Sequence, residues 1–216
     1  MNTSKSKILL VSVFLLFSFN LFAQSDKFNR LSAEISTGLH VPLAPGDGIS
    51  RSKYIAFKQF QLSGRYMFSK KMGIKGHFGF NRFADPDKKN TAVSFSRLGL
   101  EGVLNVGSLL NLDYHIREKV GLLFHTGVGV TFANPSGTTS TDKIGNILAG
   151  FTGLVRLNNT MALSGDMTYI SNIRQHYGYN GASLNAGEKG TSGGFVNVSI
   201  GIMFYLGEHR YHSDWY

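Results

Sequence analysis

Beyond about residue 33 the chain alternates apolar and polar residues, most clearly near its C-terminus. In 195–206, Val196, Val198, Ile200, Ile202, Phe204 and Leu206 fall on one side of an extended chain and Asn197, Ser199, Gly201 and Met203 on the other. Successive strand side chains point to opposite faces, so this is a two-faced strand. It exceeds the roughly five or six residues usual in soluble sheets and meets the roughly 9–11 needed to cross a bilayer at a tilt. Periodicity alone does not say which face lies inside a barrel, because a soluble barrel would use the same alternation with its apolar face inward.

The pattern recurs seven times before that segment. In 33–41, Ile35, Thr37, Leu39 and Val41 oppose Glu34, Ser36, Gly38 and His40, until Pro42, Pro45, Gly46 and Gly48 open a loop to about Tyr54. Segments 57–68 and 72–80 read as a hairpin about the polar turn Ser69-Lys70-Lys71. Further strands are expected at 92–104, 120–132, 147–157 and 161–169, with Asn158-Asn159-Thr160 as another short turn. In 105–119, Val106, Leu109 and Leu110 have helical spacing, which predicts a short capping helix. Longer loops follow Val41, Phe80, Phe132 and about Ile173. The last, 176–193, carries Tyr177, Tyr179 and Asn180 as candidate partner contacts among glycines that favour mobility.

Short turns on one side and longer loops on the other predict an all-β fold, an eight-stranded antiparallel transmembrane up-and-down β-barrel. Phe60, Tyr66, Phe68, Phe80, Phe132, Tyr169 and Phe204 lie toward strand ends on the apolar face, where interfacial aromatics sit, so that face is expected to meet lipid. Lys5 and Lys7 before an apolar run from Ile8 to Phe19, with Ala23 before the expected cut, have the layout of a signal peptide. The expected organisation is a leader at 1–23, a barrel at 24–206 and a periplasmic tail at 207–216.

The 216 residues suffice for one domain, and the absence of cysteine excludes disulfides, a thiol nucleophile and a lipid anchor on cysteine. The formal charge is +9, or +7 without Lys5 and Lys7. An exported chain does not meet nucleic acid inside the cell, so loop cations such as Arg51, Lys53, Lys88 and Lys89 are better matched to anionic lipid head groups.

The strand order, Gly145-Asn146-Ile147 followed by Ala162-Leu163-Ser164-Gly165-Asp166, the segment Gln175-His176-Tyr177, and the ending Phe204-Tyr205-Leu206-Gly207 with His212-Ser213-Asp214-Trp215 resemble the barrel portion of OmpA-like outer membrane proteins. The resemblance implies an outer membrane location. In two-domain relatives a stretch like the ending leads into a peptidoglycan-binding domain, a property that is not carried over to this chain.

The face opposite the lipid carries Arg65, Lys75, Arg97 and Arg156 as cations, Glu34, Glu101 and Asp166 as anions, and His77 and His125 between them. The lumen of a barrel of about eight strands is only wide enough for side chains to fill it, so these charges are expected to pair in a network around Arg97 and Glu101 that plugs the barrel. Gly79, Gly99, Gly127 and Gly129 would make room for the arginines. The alternatives are a small porin-like channel and a lipid-modifying enzyme built on His125, Asp166 and Ser164, although no nucleophile motif accompanies those three. His209 and His212 are too few for a metal site, and a solvated tail is expected. A structural or interaction role is therefore expected, without catalytic residue, cofactor or metal. The expected partners are outer membrane lipids and lipopolysaccharide, with a periplasmic protein held by the tail; the barrel is expected to be a monomer.

Overall fold

The computed structural model describes residues 28–45, 48–88, 91–185 and 187–216. The expected leader 1–23, the cut after Ala23, and Gly46 and Lys89 lie outside the described residues. Eight strands form a single closed sheet: β1 (Leu31–Ala44), β2 (Ala56–Met67), β3 (Met72–Ala84), β4 (Ala92–Asn105), β5 (Val120–Pro135), β6 (Asp142–Arg156), β7 (Met161–Gln175) and β8 (Thr191–Leu206). Each pairs antiparallel with its neighbours, and β1 closes on β8 through Leu31 opposite Leu206 and Ile35 opposite Ile202. Strands run from 12 residues in β2 to 16 in β5 and β8, enough for a tilted bilayer crossing.

Burial alternates residue by residue along the strands, as in β7, where Leu163, Met167 and Tyr169 are exposed and Ser164, Asp166 and Thr168 buried. Leu98, Leu100, Val128, Ile147, Met167 and Ile200 are each more than half exposed. An apolar belt around all eight strands far exceeds the few hundred Å² that soluble monomers leave uncovered, so the belt faces lipid. Aromatics border it at two levels: Tyr66, Phe68 and Phe204 near the end where β1 begins and β8 finishes, and Phe60 and Tyr169 toward the loop end.

Several boundaries differ from those the pattern predicts. β1 continues through Pro42 to Ala44, with its register slipping between those two residues, an irregularity that accommodates a residue lacking an N–H. β3 runs past Phe80 to Ala84, β6 begins at Asp142 and β7 runs on to Gln175, because pairing with neighbouring strands extends beyond the alternating core. The 105–119 connection holds two single-turn helices, α1 (Val106–Leu109) and α2 (Tyr114–Arg117). Asn105 and Asp113 cap them, their side chains accepting from the N–H groups of Ser108 and His115.

Candidate functional site

Among the described residues the lumen gathers most of the charged side chains held out of water, and strand register decides which of them meet. Lys75 stands directly opposite Glu101, His77 opposite Gly99, and Arg97 opposite Gly79. The carboxylate of Glu101 is the hub. Its Oε1 lies 3.0 Å from Lys75 Nζ and 2.9 Å from His77 Nδ1, the latter off the line of a hydrogen bond, and its Oε2 lies 2.6 Å from His125 Nδ1. The other ring nitrogen of His125 is 2.9 Å from Asp166 Oδ2, so each nitrogen faces a carboxylate. Asp166 also accepts from Thr152 at 2.7 Å and Thr168 at 2.5 Å. Glycine makes room here: a Cβ on Gly99 would sit 2.3 Å from the His77 ring, and one on Gly79 would sit 2.9 Å from Arg97 Nη2 and push the guanidinium aside.

Arg97 is not the second centre that composition suggests. Its Nε reaches His77 Nε2 at 3.4 Å, its guanidinium lies 5.7 Å from the Phe195 ring, and Nη1 has no partner among the described residues. Gly127 and Gly129 do not make room for arginine either, since a Cβ on either would meet the backbone of β4. Arg156 is a further correction. As the last residue of β6 it leaves the lumen layer and lies at the barrel mouth, donating to the Glu118 and Asn158 carbonyls and stacking 4.6 Å from the Tyr211 ring. Glu34 stands apart as well, accepting from Ser63 at 3.3 Å and Ser164 at 2.5 Å. Ser164 therefore donates to Glu34 rather than to His125, and a Ser-His-Asp relay is not assembled, although His125 and Asp166 do meet.

Toward the loop end, amides succeed the charges: Asn81 donates to Asn197 at 2.9 Å, Asn146 to Asn172 at 2.9 Å, and Asn172 to Gln175 at 2.8 Å. Above them lies a buried aromatic cluster in which the Phe83 ring is 4.6 Å from Tyr179 and 5.2 Å from both Phe95 and Phe195. Alternation hides Phe83, Phe95 and Phe195, because each occupies a position its strand elsewhere gives to polar groups, while Tyr179 comes from the loop after β7 and is buried rather than free to contact a partner.

The end carrying the termini is built differently. The tail does not stay in solvent: it turns back at Gly207, whose φ is +139°, and His212, Ser213, Asp214 and Trp215 are buried in the mouth. The Asp214 carboxylate pairs with Arg65, which also donates to Ser32 at 3.1 Å. Burial acts to raise the Asp214 carboxyl, but the Arg65 guanidinium and His212 outweigh it and hold the group well below the usual carboxylate range. Tyr205 stacks on His212 at 4.5 Å and meets Trp215 edge-on at 5.8 Å. Asn29 exchanges hydrogen bonds with His209 at 2.8 Å each, tying the start of the described chain to its end. Between this mouth and the charged layer a cavity of about 10 Å³, lined by Ser32, Glu34, Arg65, Lys75 and His125, has room for about one water.

In the loops, Lys53 pairs with Asp87 at 2.8 Å and so is not a free cation, while Arg51 and Lys88 are exposed.

No protein-family model matches the chain, and neither does any curated protein sequence. Solved structures match in fold. Ail, the attachment invasion locus protein of Yersinia pestis, is 14% identical, with a TM-score of 0.51 and coverage of 83% of this chain and 99% of Ail. Neisserial surface protein A is 10% identical, with a TM-score of 0.50 over 82% and 96% of the two chains. A major outer membrane protein from Thermus thermophilus is 10% identical, with a TM-score of 0.51 over 82% and 98%. At such identities the likeness is one of fold, the fold of small outer membrane barrels.

Proposed function

Starting from a chain that has the fold of an outer membrane β-barrel and an apolar belt to match, we propose that it is a monomeric barrel with a structural or interaction role and a lumen closed to steady solute passage. Export behind a leader at 1–23 belongs to this reading. The observation that carries it is the stacking of three unlike obstructions along one narrow lumen. They are the aromatic cluster around Phe83, the charged layer on Glu101, and the tail residues Asp214 and Trp215 in the mouth. A water-filled channel would leave such charges hydrated, whereas Arg97, Glu101, His125 and Asp214 are almost wholly buried. The interaction side of the role falls to the longer loops, where Arg51 and Lys88 suit the phosphates of lipopolysaccharide.

Purified protein in a planar bilayer tests the closure. The expected result is no sustained conductance in most insertions, with leakage appearing in Glu101→Gln or Asp166→Asn. Steady conductance of the unmodified protein in most insertions overturns it.

A further inference from the structure

The connection between β4 and β5 is out of character with the other turns at the same end. Those are short and end in polar residues, Ser69-Lys70-Lys71 in one and Asn158-Asn159-Thr160 in the other. The connection from 106 to 119 instead exposes Leu109 (49%), Leu110 (64%), Leu112 (41%), Tyr114 (52%) and Ile116 (54%). The start of the segment anchors it to the protein, while Asn111, Asp113 and His115 share the exposed surface with the apolar side chains. Gly107 and Ser108 are buried, Ser108 Oγ donates to the Tyr216 carbonyl at 2.6 Å, and Arg117 Nε donates back to the Leu112 carbonyl at 2.7 Å. The segment is thus fixed with its apolar side chains outward.

Two observations say what covers them. The patch continues the lipid-facing belt, since Val120 (50%) and Leu122 (41%) follow it on β5, while Met72 (56%) and Val155 (49%) border it on β3 and β6 and Leu157 (56%) lies just past the end of β6. The polar surface around it is cationic on balance: Lys70, Lys71, Arg117, Lys119 and Arg210 outnumber Asp113, Glu118 and Glu208. An amphipathic segment with basic flanks lies in a bilayer interface, its apolar side among the upper acyl chains and its cations at anionic head groups.

We propose that 106–119 is a membrane foot, a segment that embeds Leu109, Leu110, Leu112, Tyr114 and Ile116 in the leaflet at the termini end and takes anionic phospholipid as its partner. It sets the depth at which the barrel sits. The proposal rests on the transmembrane reading and goes beyond it, because a barrel spans the membrane with or without such a foot.

The cysteine-free chain allows a direct test. Single cysteines L110C, I116C, V155C and N159C in the full protein are labelled with an environment-sensitive fluorophore and reconstituted in vesicles of phosphatidylcholine with or without phosphatidylglycerol. A doxyl-labelled phospholipid quenches whatever lies in the bilayer, and heat-dependent gel migration checks folding. L110C and I116C are expected to lose as much fluorescence as V155C on the belt, and N159C on a polar turn very little. Lys71→Glu with Lys119→Glu is expected to reduce quenching at L110C only where phosphatidylglycerol is present. If V155C is quenched while L110C and I116C behave like N159C, the foot is wrong and the patch is left for a soluble protein partner. If V155C itself escapes quenching, the transmembrane reading fails.

Discussion

The charged layer and the tail-filled mouth each bury a carboxylate against cations, yet they are assembled in different ways. Glu101 meets Lys75, His77 and His125, all from β3, β4 and β5, so its partners arrive as soon as three neighbouring strands zip in register. Asp214 meets Arg65 across 149 positions of sequence, joining β2 to a residue beyond the last strand. That pair needs the tail to fold back against β2 and is not given by the pairing of neighbouring strands. The chemistry is similar but the consequence of breaking it is not: the hub is tied into neighbouring strands, so its loss is expected to weaken the barrel as well as its closure, whereas the tail can leave the mouth with the strands intact. Breaking each in turn shows how much of the barrel's stability rests on either.

The largest effect is expected at the hub. Glu101→Gln leaves the Lys75 ammonium buried without its carboxylate, and stranding one member of a buried pair costs ~3–5 kcal/mol. In detergent micelles the urea midpoint of the folded barrel is expected to fall accordingly, and Lys75→Met in the same chain is expected to restore much of it. A single substitution that leaves the midpoint unchanged would show that water already solvates the layer.

Asp214→Asn is expected to cost about 1–2 kcal/mol or less in the barrel midpoint, because Arg65 regains water once the tail swings out. The sensitive readouts are local. Trp215 emission, from the only tryptophan, should shift to the red, and the buried indole should become open to an aqueous quencher. A drop in midpoint as large as that of Glu101→Gln would make the tail part of the barrel's cooperative core and erase the distinction.

This contrast also marks what the sequence makes legible. A period of two assigns Glu34, Arg65, Lys75, His77, Arg97, Glu101, His125 and Asp166 to one face whatever the register, since parity within each strand suffices. Who meets whom is a property of register, and register is set by pairing across strands that are distant in sequence. That is why composition suggests Arg97 as a centre while position makes Glu101 the hub, and why Arg156, at the very end of β6, is drawn to Tyr211 instead. Residues 207–216 have no period at all. The turn at Gly207, the pairing with Arg65 and the bond from Asn105 to the Asp214 carbonyl direct Asp214 inward, and a one-dimensional pattern shows none of these meetings.

A smaller effect is expected from acid. Asp214 is held below the usual carboxylate range in the folded chain, so its pairing contributes stability that is complete above about pH 4, where an unfolded aspartate is also ionised. That contribution is lost as pH falls through the depressed folded value. Trp215 emission should therefore stay constant from neutral pH to about 4 and move to the red only below it, and this transition should vanish in Asp214→Asn. A shift already complete at pH 5 would place its cause in another group.

The smallest effect is expected at Lys53 and Asp87, which complete the comparison with a pair that is neither buried nor needed for closure. Their nitrogen and oxygen approach to 2.8 Å, closer than Lys75 and Glu101, so distance alone would rank the loop pair above the hub. Exposure reverses that order. The two side chains are 46% and 67% exposed, and water and salt screen what the hydrogen bond and its charges provide. The same contact lifts the Lys53 ammonium above its ordinary value and lowers the Asp87 carboxyl, yet each regains full hydration when its partner is removed. Lys53→Met is therefore expected to leave both the urea midpoint and the Trp215 emission unchanged within error, at low salt as at high. A fall in midpoint would mean that the loop end is tied to the barrel more tightly than an exposed pair allows, and would weaken the claim that burial, rather than contact, ranks these three carboxylates.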